Sequence, residues 1–219
     1  MEKAVVLLSG GMDSAVTLYF AKRKYDCRVL VFDYGQKAKK EIECAKKLAE
    51  AAGVKLDVLR IALPWKGSAL VDEKTEVPQG KPAGDGSIPV TYVPARNMIF
   101  LSFAVSYAEA IGAAAVFIGA HQMDYSNYPD CRGEFFDAFR EMVRLGTKTG
   151  TEGREVKIET PVINMTKKEI LEAGNSMGVP FGLTWSCYKE GDKPCGKCES
   201  CLFRAQAFRD AGIMDPYGI

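Results

Sequence analysis

Apolar and polar residues alternate along the first third of the chain in two rhythms. Residues 4–8 (Ala-Val-Val-Leu-Leu) form an unbroken apolar run of strand length, which suits a strand buried on both faces. Residues 28–32 and 55–61 predict two more strands. Between them, residues 14–23 carry apolar side chains at helical spacing: Ala15, Val16, Leu18 and Tyr19. Residues 39–52 predict a charged amphipathic helix, stopped by Gly53. Strands alternating with helices predict right-handed crossovers and a parallel sheet.

Residues 64–94 break this rhythm. They are rich in Gly, Pro and charge and show no period. A long segment of this kind inside a compact domain is usually functional, such as a lid over a ligand. The pattern resumes with a strongly apolar helix over 96–111, a fourth strand over 114–118 followed by Gly119, and a polar, aromatic loop over 125–132. An amphipathic helix over 135–145 and a short strand over 156–159, ended by Thr160-Pro161, come next. Thr166 followed by Glu169 is a capping-box pattern opening a helix over 166–173, and residues 199–210 predict the last helix. No repeat or low-complexity tract interrupts the chain. The simplest organisation is one α/β domain over 1–180 with a short C-terminal segment, 181–219, packed on it.

Composition narrows the function classes. The 219 residues are 47% hydrophobic and 26% charged, with a formal net charge of +1. That supports one sizeable core and gives no broad footprint for nucleic acid or an anionic membrane. The N-terminal apolar run is too short for a signal-peptide core, and no stretch reaches the roughly 18 apolar residues of a membrane span. A soluble cytoplasmic protein is expected. Seven cysteines, an odd number with four crowded near the C-terminus, fit a metal-binding or catalytic role better than a secreted disulfide framework.

The first candidate site is Ser9-Gly10-Gly11-Met12-Asp13-Ser14, directly between the first strand and the first helix. Backbone N–H groups at a helix N-terminus, with the helix dipole behind them, form an anion site. Gly10 and Gly11 let the backbone approach a phosphate without a Cβ in the way, and Ser9 and Ser14 add hydroxyls. Asp13 repels a phosphate unless a cation mediates, so it is read as a Mg²⁺ partner. The Gly-Lys-Ser/Thr ending of a Walker A loop is absent, and so is the third glycine of a dinucleotide fingerprint.

This hexapeptide resembles the signature of the PP-loop ATP pyrophosphatases. The resemblance implies an α/β fold with a single Rossmann-like parallel sheet (adenine nucleotide α-hydrolase-like), order 3-2-1-4-5. It also implies cleavage of ATP between its α- and β-phosphates, with AMP passed to a substrate oxygen. Leu8 and the loop from Ser9 to Ser14 are the expected ATP contacts. Phe32-Asp33-Tyr34-Gly35-Gln36 ends the second strand where such enzymes place an adenosine-contacting loop, which assigns Tyr34 and Gln36 to ATP. Lys167-Lys168-Glu169-Ile170 resembles the later lysine motif of the group. Lys167 is favoured as the phosphate-contacting lysine, with Lys168 the alternative, and Asp13, Ser14 and Lys167 form the expected catalytic set.

The second candidate site is Cys187-x7-Cys195-x2-Cys198-x2-Cys201, four thiols within 15 residues. Two-residue spacing lets successive sulfurs converge on one ion, and four thiolates suit tetrahedral Zn²⁺. An iron–sulfur cluster accepts the same set, so spacing leaves the metal open. Four protein ligands leave no position for water, which points to a structural metal that staples a tail poor in apolar residues.

The middle loops supply the rest. Pro94 disfavours helix at Val93, so Arg96 and Asn97 stand at a helix start, where they present polar groups to a nucleotide; Asn97 equally suits capping. Gly119 follows the fourth strand, at the switch between strands one and four where open parallel sheets bind ligands. In the loop beyond, Tyr125 and Tyr128 suit stacking on a planar heterocycle, Asp124 and Asp130 suit acceptance of its N–H groups, and Arg132 completes the expected substrate contacts. His121, the single histidine, reads as structural.

Taken together, residues 9–14, 93–97, 125–132 and the four-cysteine tail resemble the 7-cyano-7-deazaguanine synthase family of queuosine biosynthesis, nearly end to end. Asn127 departs from the glycine expected there. The resemblance implies an ATP-dependent C–N ligase that converts 7-carboxy-7-deazaguanine and ammonia to the nitrile through adenylated acid and amide, releasing AMP and pyrophosphate. It further implies a structural zinc, one per chain, and a homodimer. The nearest rival, a sulfur-inserting PP-loop enzyme acting on tRNA, needs a persulfide-carrying cysteine, for which Cys131 is the candidate. A zinc module that binds RNA or protein would leave the phosphate loop without a purpose.

Overall fold

The computed structural model describes residues 1–80, 87–121 and 127–219. Five strands, β1 (Lys3–Leu7), β2 (Asp26–Asp33), β3 (Lys55–Arg60), β4 (Ala115–Phe117) and β5 (Lys157–Glu159), form one sheet in the order β3-β2-β1-β4-β5. Every neighbouring pair is parallel, and β1 is central, with Val5 opposite Arg28 on one side and Val116 on the other. The expected parallel sheet and its order are therefore observed.

Seven α-helices surround the sheet among the described residues: α1 (Met12–Lys22), α2 (Lys40–Ala51), α3 (Arg96–Ile111), α4 (Gly133–Gly146), α5 (Lys148–Thr151), α6 (Lys167–Ser176) and α7 (Glu199–Ala211). Alternate residues of β1 face opposite sides, as the pleat requires. Val5 and Leu7 join a core with Leu101 and Ala104 of α3 and Phe136 and Phe139 of α4. Ala4, Val6 and Leu8 join a second core with Leu18 of α1, Leu48 of α2, Ile170 of α6 and Phe208 of α7. A central strand sandwiched in this way has no polar face, which is why its sequence is an unbroken apolar run.

Boundaries moved where loop chemistry overrides periodicity. Helix α1 begins at Met12 rather than 14, because Gly11 takes the N-cap position and places Asp13 in the first turn. The short α5 was not expected; Thr147 caps it by accepting from the Gly150 N–H at 3.0 Å. The capping box at α6 is formed: the Thr166 N–H donates to the Glu169 carboxylate at 2.7 Å, and the Glu169 N–H donates to Thr166 Oγ1 at 3.3 Å.

The aperiodic segment after β3 contains no strand or helix among its described residues, yet it is tied down. Ala69 N–H donates to Val90 O at 2.8 Å, Ser68 Oγ to Thr91 O at 3.1 Å, and Lys37 N–H to Leu70 O at 2.9 Å. Gln79 makes an isolated antiparallel bridge with Cys198, and Gly80 N–H donates to Lys197 O at 2.9 Å. The tail belongs to the same core: Trp185, Cys187, Cys198 and Cys201 pack with the β1, α3 and α4 side chains.

Candidate active site and metal centre

The loop after β1 is built around hydroxyls. Ser14 Oγ accepts the Ser9 N–H at 3.2 Å, lies 3.0 Å from Ser9 Oγ, and donates to Gly11 O at 3.0 Å. Ser9 Oγ accepts the Gly11 N–H at 3.3 Å. Gly10 has φ +89°, and a Cβ there would lie 2.2 Å from the Glu41 carbonyl oxygen of α2. Only glycine satisfies both constraints. The Gly10 carbonyl accepts the Trp185 N–H at 2.8 Å, which fastens the tail to the loop.

Asp13 is the electrostatic centre. Its Oδ2 accepts from Lys167 Nζ at 2.6 Å and lies 3.6 Å from His121 Nε2. Its Oδ1 is buried and has no hydrogen-bond partner among the described residues. A hard cation takes such an oxygen, so this corner fits Mg²⁺. Lys167 arrives from the first turn of α6, where the capping box fixes its backbone. Lys168, the alternative, instead pairs with Glu172 at 3.7 Å. Gly119 lets β4 close on this corner: a Cβ there would lie 2.9 Å from the Asp13 backbone.

These groups border a cavity of about 280 Å³ at the carboxyl ends of β1 and β4. Its floor is the loop: Leu8, Ser9, Gly11, Met12, Asp13 and Ser14. Tyr34, Gln36, Arg96, Asn97, Gly119, Tyr128 and Lys167 also line the cavity. Gln36 mainly shapes its own loop, accepting the Tyr34 N–H at 2.9 Å and donating to Phe32 O at 3.1 Å. Phe100 also lines the wall and stacks on Phe32 with ring centroids 3.9 Å apart.

Arg96 owes its place to a strained residue. Ala95 has φ +52°, a left-handed conformation stabilised by its N–H donating to Tyr92 Oη at 2.9 Å. Arg96 then reaches Tyr34 Oη at 3.4 Å. Burial opposes the Arg96 charge, and the hydrogen bond to the Tyr34 hydroxyl favours the protonated guanidinium. Asn97 is buried and faces Asp130, with its N–H donating to Asp130 Oδ2 at 3.0 Å and its Nδ2 to Asp130 O at 3.0 Å. Asp130 thus serves the N-terminus of α3 and does not border the cavity. Arg132 also lies off the cavity wall, half-exposed and 3.7 Å from Glu134. Asp124 and Tyr125 lie outside the described residues.

Several cavity residues escaped the sequence reading. Glu41 sits among the charges of α2 with nothing local to mark it. Burial pushes its carboxyl up to about 8, against the pull of Arg96. Tyr188, Glu199 and Trp185 flank the cysteines and were overshadowed by them. His121, read as structural, lines the cavity beside Asp13.

The four cysteine sulfurs lie within 4.8 Å of one another, and Cys195 and Cys201 are 4.0 Å apart. Tetrahedral zinc with bonds of about 2.3 Å needs sulfurs about 3.8 Å apart, so the set fits. Backbone N–H groups point at the sulfurs: Lys189 and Cys195 donate to Cys187 Sγ at 3.4 Å, and Cys198 donates to Cys195 Sγ at 3.3 Å. Such donors stabilise thiolates, as a metal centre requires.

A family model described as queuosine biosynthesis protein QueC matches residues 3–212. The 7-cyano-7-deazaguanine synthase of Nostoc punctiforme is 50% identical over 219 residues, 98% of each chain. That of Acetivibrio thermocellus is 49% identical over 216 residues, 98% of this chain and 96% of the relative. Among solved structures, NMN synthetase from Francisella tularensis aligns at 14% identity with a TM-score of 0.49, over 97% of this chain and 78% of that one. Family match and full-length identity agree, and the chain belongs to the QueC family of enzymes.

Proposed function

We propose that this chain makes 7-cyano-7-deazaguanine from 7-carboxy-7-deazaguanine and ammonia, using ATP and releasing AMP and pyrophosphate. The observation that carries the reading is the meeting of the Ser9–Ser14 loop, the Asp13–Lys167 pair and Arg96 on one cavity, in a chain whose relatives bear that synthase name.

The residues divide the work by position. ATP phosphates sit at the N-terminus of α1, on the glycine turn that the Ser9 and Ser14 hydroxyls shape. The substrate carboxylate attacks the α-phosphate, an acyl adenylate forms, and pyrophosphate leaves. Lys167 and Arg96 neutralise the charge that accumulates on the departing pyrophosphate. Mg²⁺ held by Asp13 would supply further neutralisation of the phosphates. Ammonia then displaces AMP to give the amide. In a second round the amide oxygen takes AMP from another ATP, and loss of AMP with the remaining N–H protons leaves the nitrile. Neither round needs a covalent enzyme nucleophile; positioning and charge suffice. Tyr34, Phe100 and Tyr128 offer the aromatic surfaces that adenine and the deazaguanine ring require.

Cys187, Cys195, Cys198 and Cys201 would hold one structural Zn²⁺, which ties the tail to the body of the enzyme. A homodimer and a cytoplasmic location belong to the same reading. Among the described residues no helix is long and apolar enough to cross a membrane, and Met98, Phe103, Met142 and Leu145 on α3 and α4 are exposed apolar area that a second copy would cover.

The test is incubation with ATP, Mg²⁺, ammonium and 7-carboxy-7-deazaguanine, followed by mass spectrometry. Nitrile with AMP and pyrophosphate is expected. No product from that acid, with pyrophosphate released on another acceptor, overturns the substrate.

A further inference from the structure

We infer that Tyr217 is a positioning residue for the loop between β1 and α1: through the Trp185 indole it seats the backbone N–H that holds the Gly10 carbonyl, and so keeps the loop in the conformation that receives Mg·ATP. The inference rests on the proposed use of ATP and adds to it a residue outside the cavity.

Two adjacent glycines leave the peptide group between them free to rotate, because neither carries a side chain that restricts φ or ψ. In a planar trans peptide the carbonyl and the following N–H point opposite ways, so a partner at each end fixes the plane. Here the Gly11 N–H donates to Ser9 Oγ at 3.3 Å, and the Gly10 carbonyl accepts from the Trp185 N–H at 2.8 Å. The first partner belongs to the loop itself, and the second arrives from the tail. A Cβ on Gly11 would lie 3.7 Å from the Trp185 carbonyl oxygen, so the two segments run close together here.

A backbone N–H is only as fixed as the side chain that anchors its residue. Trp185 is 1% exposed, and its Nε1 has no hydrogen-bond partner among the described residues. Packing therefore orients the indole. Its ring partner is Tyr217, with centroids 5.9 Å apart and planes at 90°, the edge-to-face arrangement. Tyr217 is braced in turn. Its N–H donates to Asp215 Oδ1 at 3.0 Å, its hydroxyl donates to Gly182 O at 3.3 Å, and the Arg204 guanidinium lies 5.0 Å from its ring centroid. Arg204 is itself locked to Asp215. Tyr217 is partly exposed and does not border the cavity, so its effect on a nucleotide there is indirect.

The consequence is a split between binding and turnover. Without the Tyr217 ring the loop samples conformations in which the Gly10 carbonyl is released. The apparent Kd for ATP then rises by the inverse of the fraction that stays competent. Saturating ATP selects the competent loop, so kcat at saturation is held while Lys167 and Arg96 keep their places.

The experiment compares the wild type with Tyr217→Ala, Tyr217→Phe and Ile213→Ala. Ile213 lies on the same tail but packs on the second core, and controls for lost stability alone. Kd for Mg·ATP by calorimetry, kcat, bound metal and melting temperature are measured, together with hydrogen exchange at the Trp185 amide. Tyr217→Ala should raise Kd for Mg·ATP by on the order of 10-fold, as for a loop competent about one-tenth of the time. Its kcat and metal content should hold, and its Trp185 amide should exchange faster. Tyr217→Phe keeps the ring and should bind Mg·ATP as the wild type does. A Tyr217→Ala enzyme with the wild-type Kd overturns the inference, and so does an equal weakening in Ile213→Ala. A Trp185 amide that exchanges freely in the wild type overturns it too, with no variant required to fold. A wild type that binds no Mg·ATP sinks the proposed reaction itself, a distinct result.

Discussion

At the residue scale, three groups make separable predictions. Asp13→Ala removes the partner of Lys167 and the open Oδ1, and should abolish pyrophosphate release while circular dichroism and melting stay near wild type, since Asp13 is partly exposed and not core. Lys167→Ala should lower kcat by about 100-fold or more, the usual scale for one transition-state charge partner. Cys131→Ser should retain most activity. Burial pushes the Cys131 thiol up to about 11, so it is not a thiolate at neutral pH, and its contact is a 3.3 Å hydrogen bond from Asn97. Loss of all activity in that variant would instead favour thiol chemistry. Glu41 gives a pH prediction. Its carboxyl is raised to about 8 in the fold by burial, while in the unfolded chain it ionises near its ordinary value. Between those values the folded state holds a proton that the unfolded state has lost, so its contribution to stability falls as pH rises toward 8. Glu41→Gln should flatten that decline in urea melts run from pH 5 to pH 9.

At the element scale, the loop between β1 and α1 depends on α2 lying close behind it. Gly10→Ala would place a methyl 2.2 Å from the Glu41 carbonyl at φ +89°, and should cost about 2–3 kcal/mol or more in chemical denaturation. The metal turns make a different prediction. Cys198 is one of four converging sulfurs, and it is also the bridge partner of Gln79. Cys198→Ser should therefore lower metal content and melting temperature together, and should open the segment between β3 and α3 to limited proteolysis. Stoichiometric metal with an unmoved melting point would remove the metal assignment.

At the scale of the whole molecule, the tail is a structural part of the catalytic body. Arg204 of α7 is 2% exposed and holds Asp215 through two 2.9 Å contacts, with Thr184 Oγ1 at 2.7 Å and Phe181 O at 3.3 Å. Arg204→Ala strands the buried Asp215 carboxylate and should cost about 3–5 kcal/mol, while an apolar replacement of both partners should recover much of it. Because Trp185, Tyr188, Glu199 and Arg204 also border the cavity, such damage should raise KM before the protein unfolds. The buried ion pair thus links stability and binding through one segment.

By itself the sequence determined the sheet, the glycine turn between β1 and α1, the capping box and the cluster of four cysteines. These depend on local patterns: an apolar run between helices, adjacent glycines at a strand–helix junction, an i to i+3 cap, thiols at two-residue spacing. Family membership was legible for the same reason, since its motifs are short and contiguous. The tertiary structure alone decided the rest, because it depends on contacts between segments far apart in the chain. Lys167 rather than Lys168 meets Asp13 because the rotation of α6 against α1 aims one lysine inward and leaves the other with Glu172. Asp130, expected at the substrate, is turned onto the start of α3 by Asn97. Glu41, one carboxylate among 28 acidic residues, acquires meaning only when packing removes it from water beside the cavity. Periodicity reports which face of an element is buried, but not which charged side chain from a distant element that burial will bring opposite a ligand.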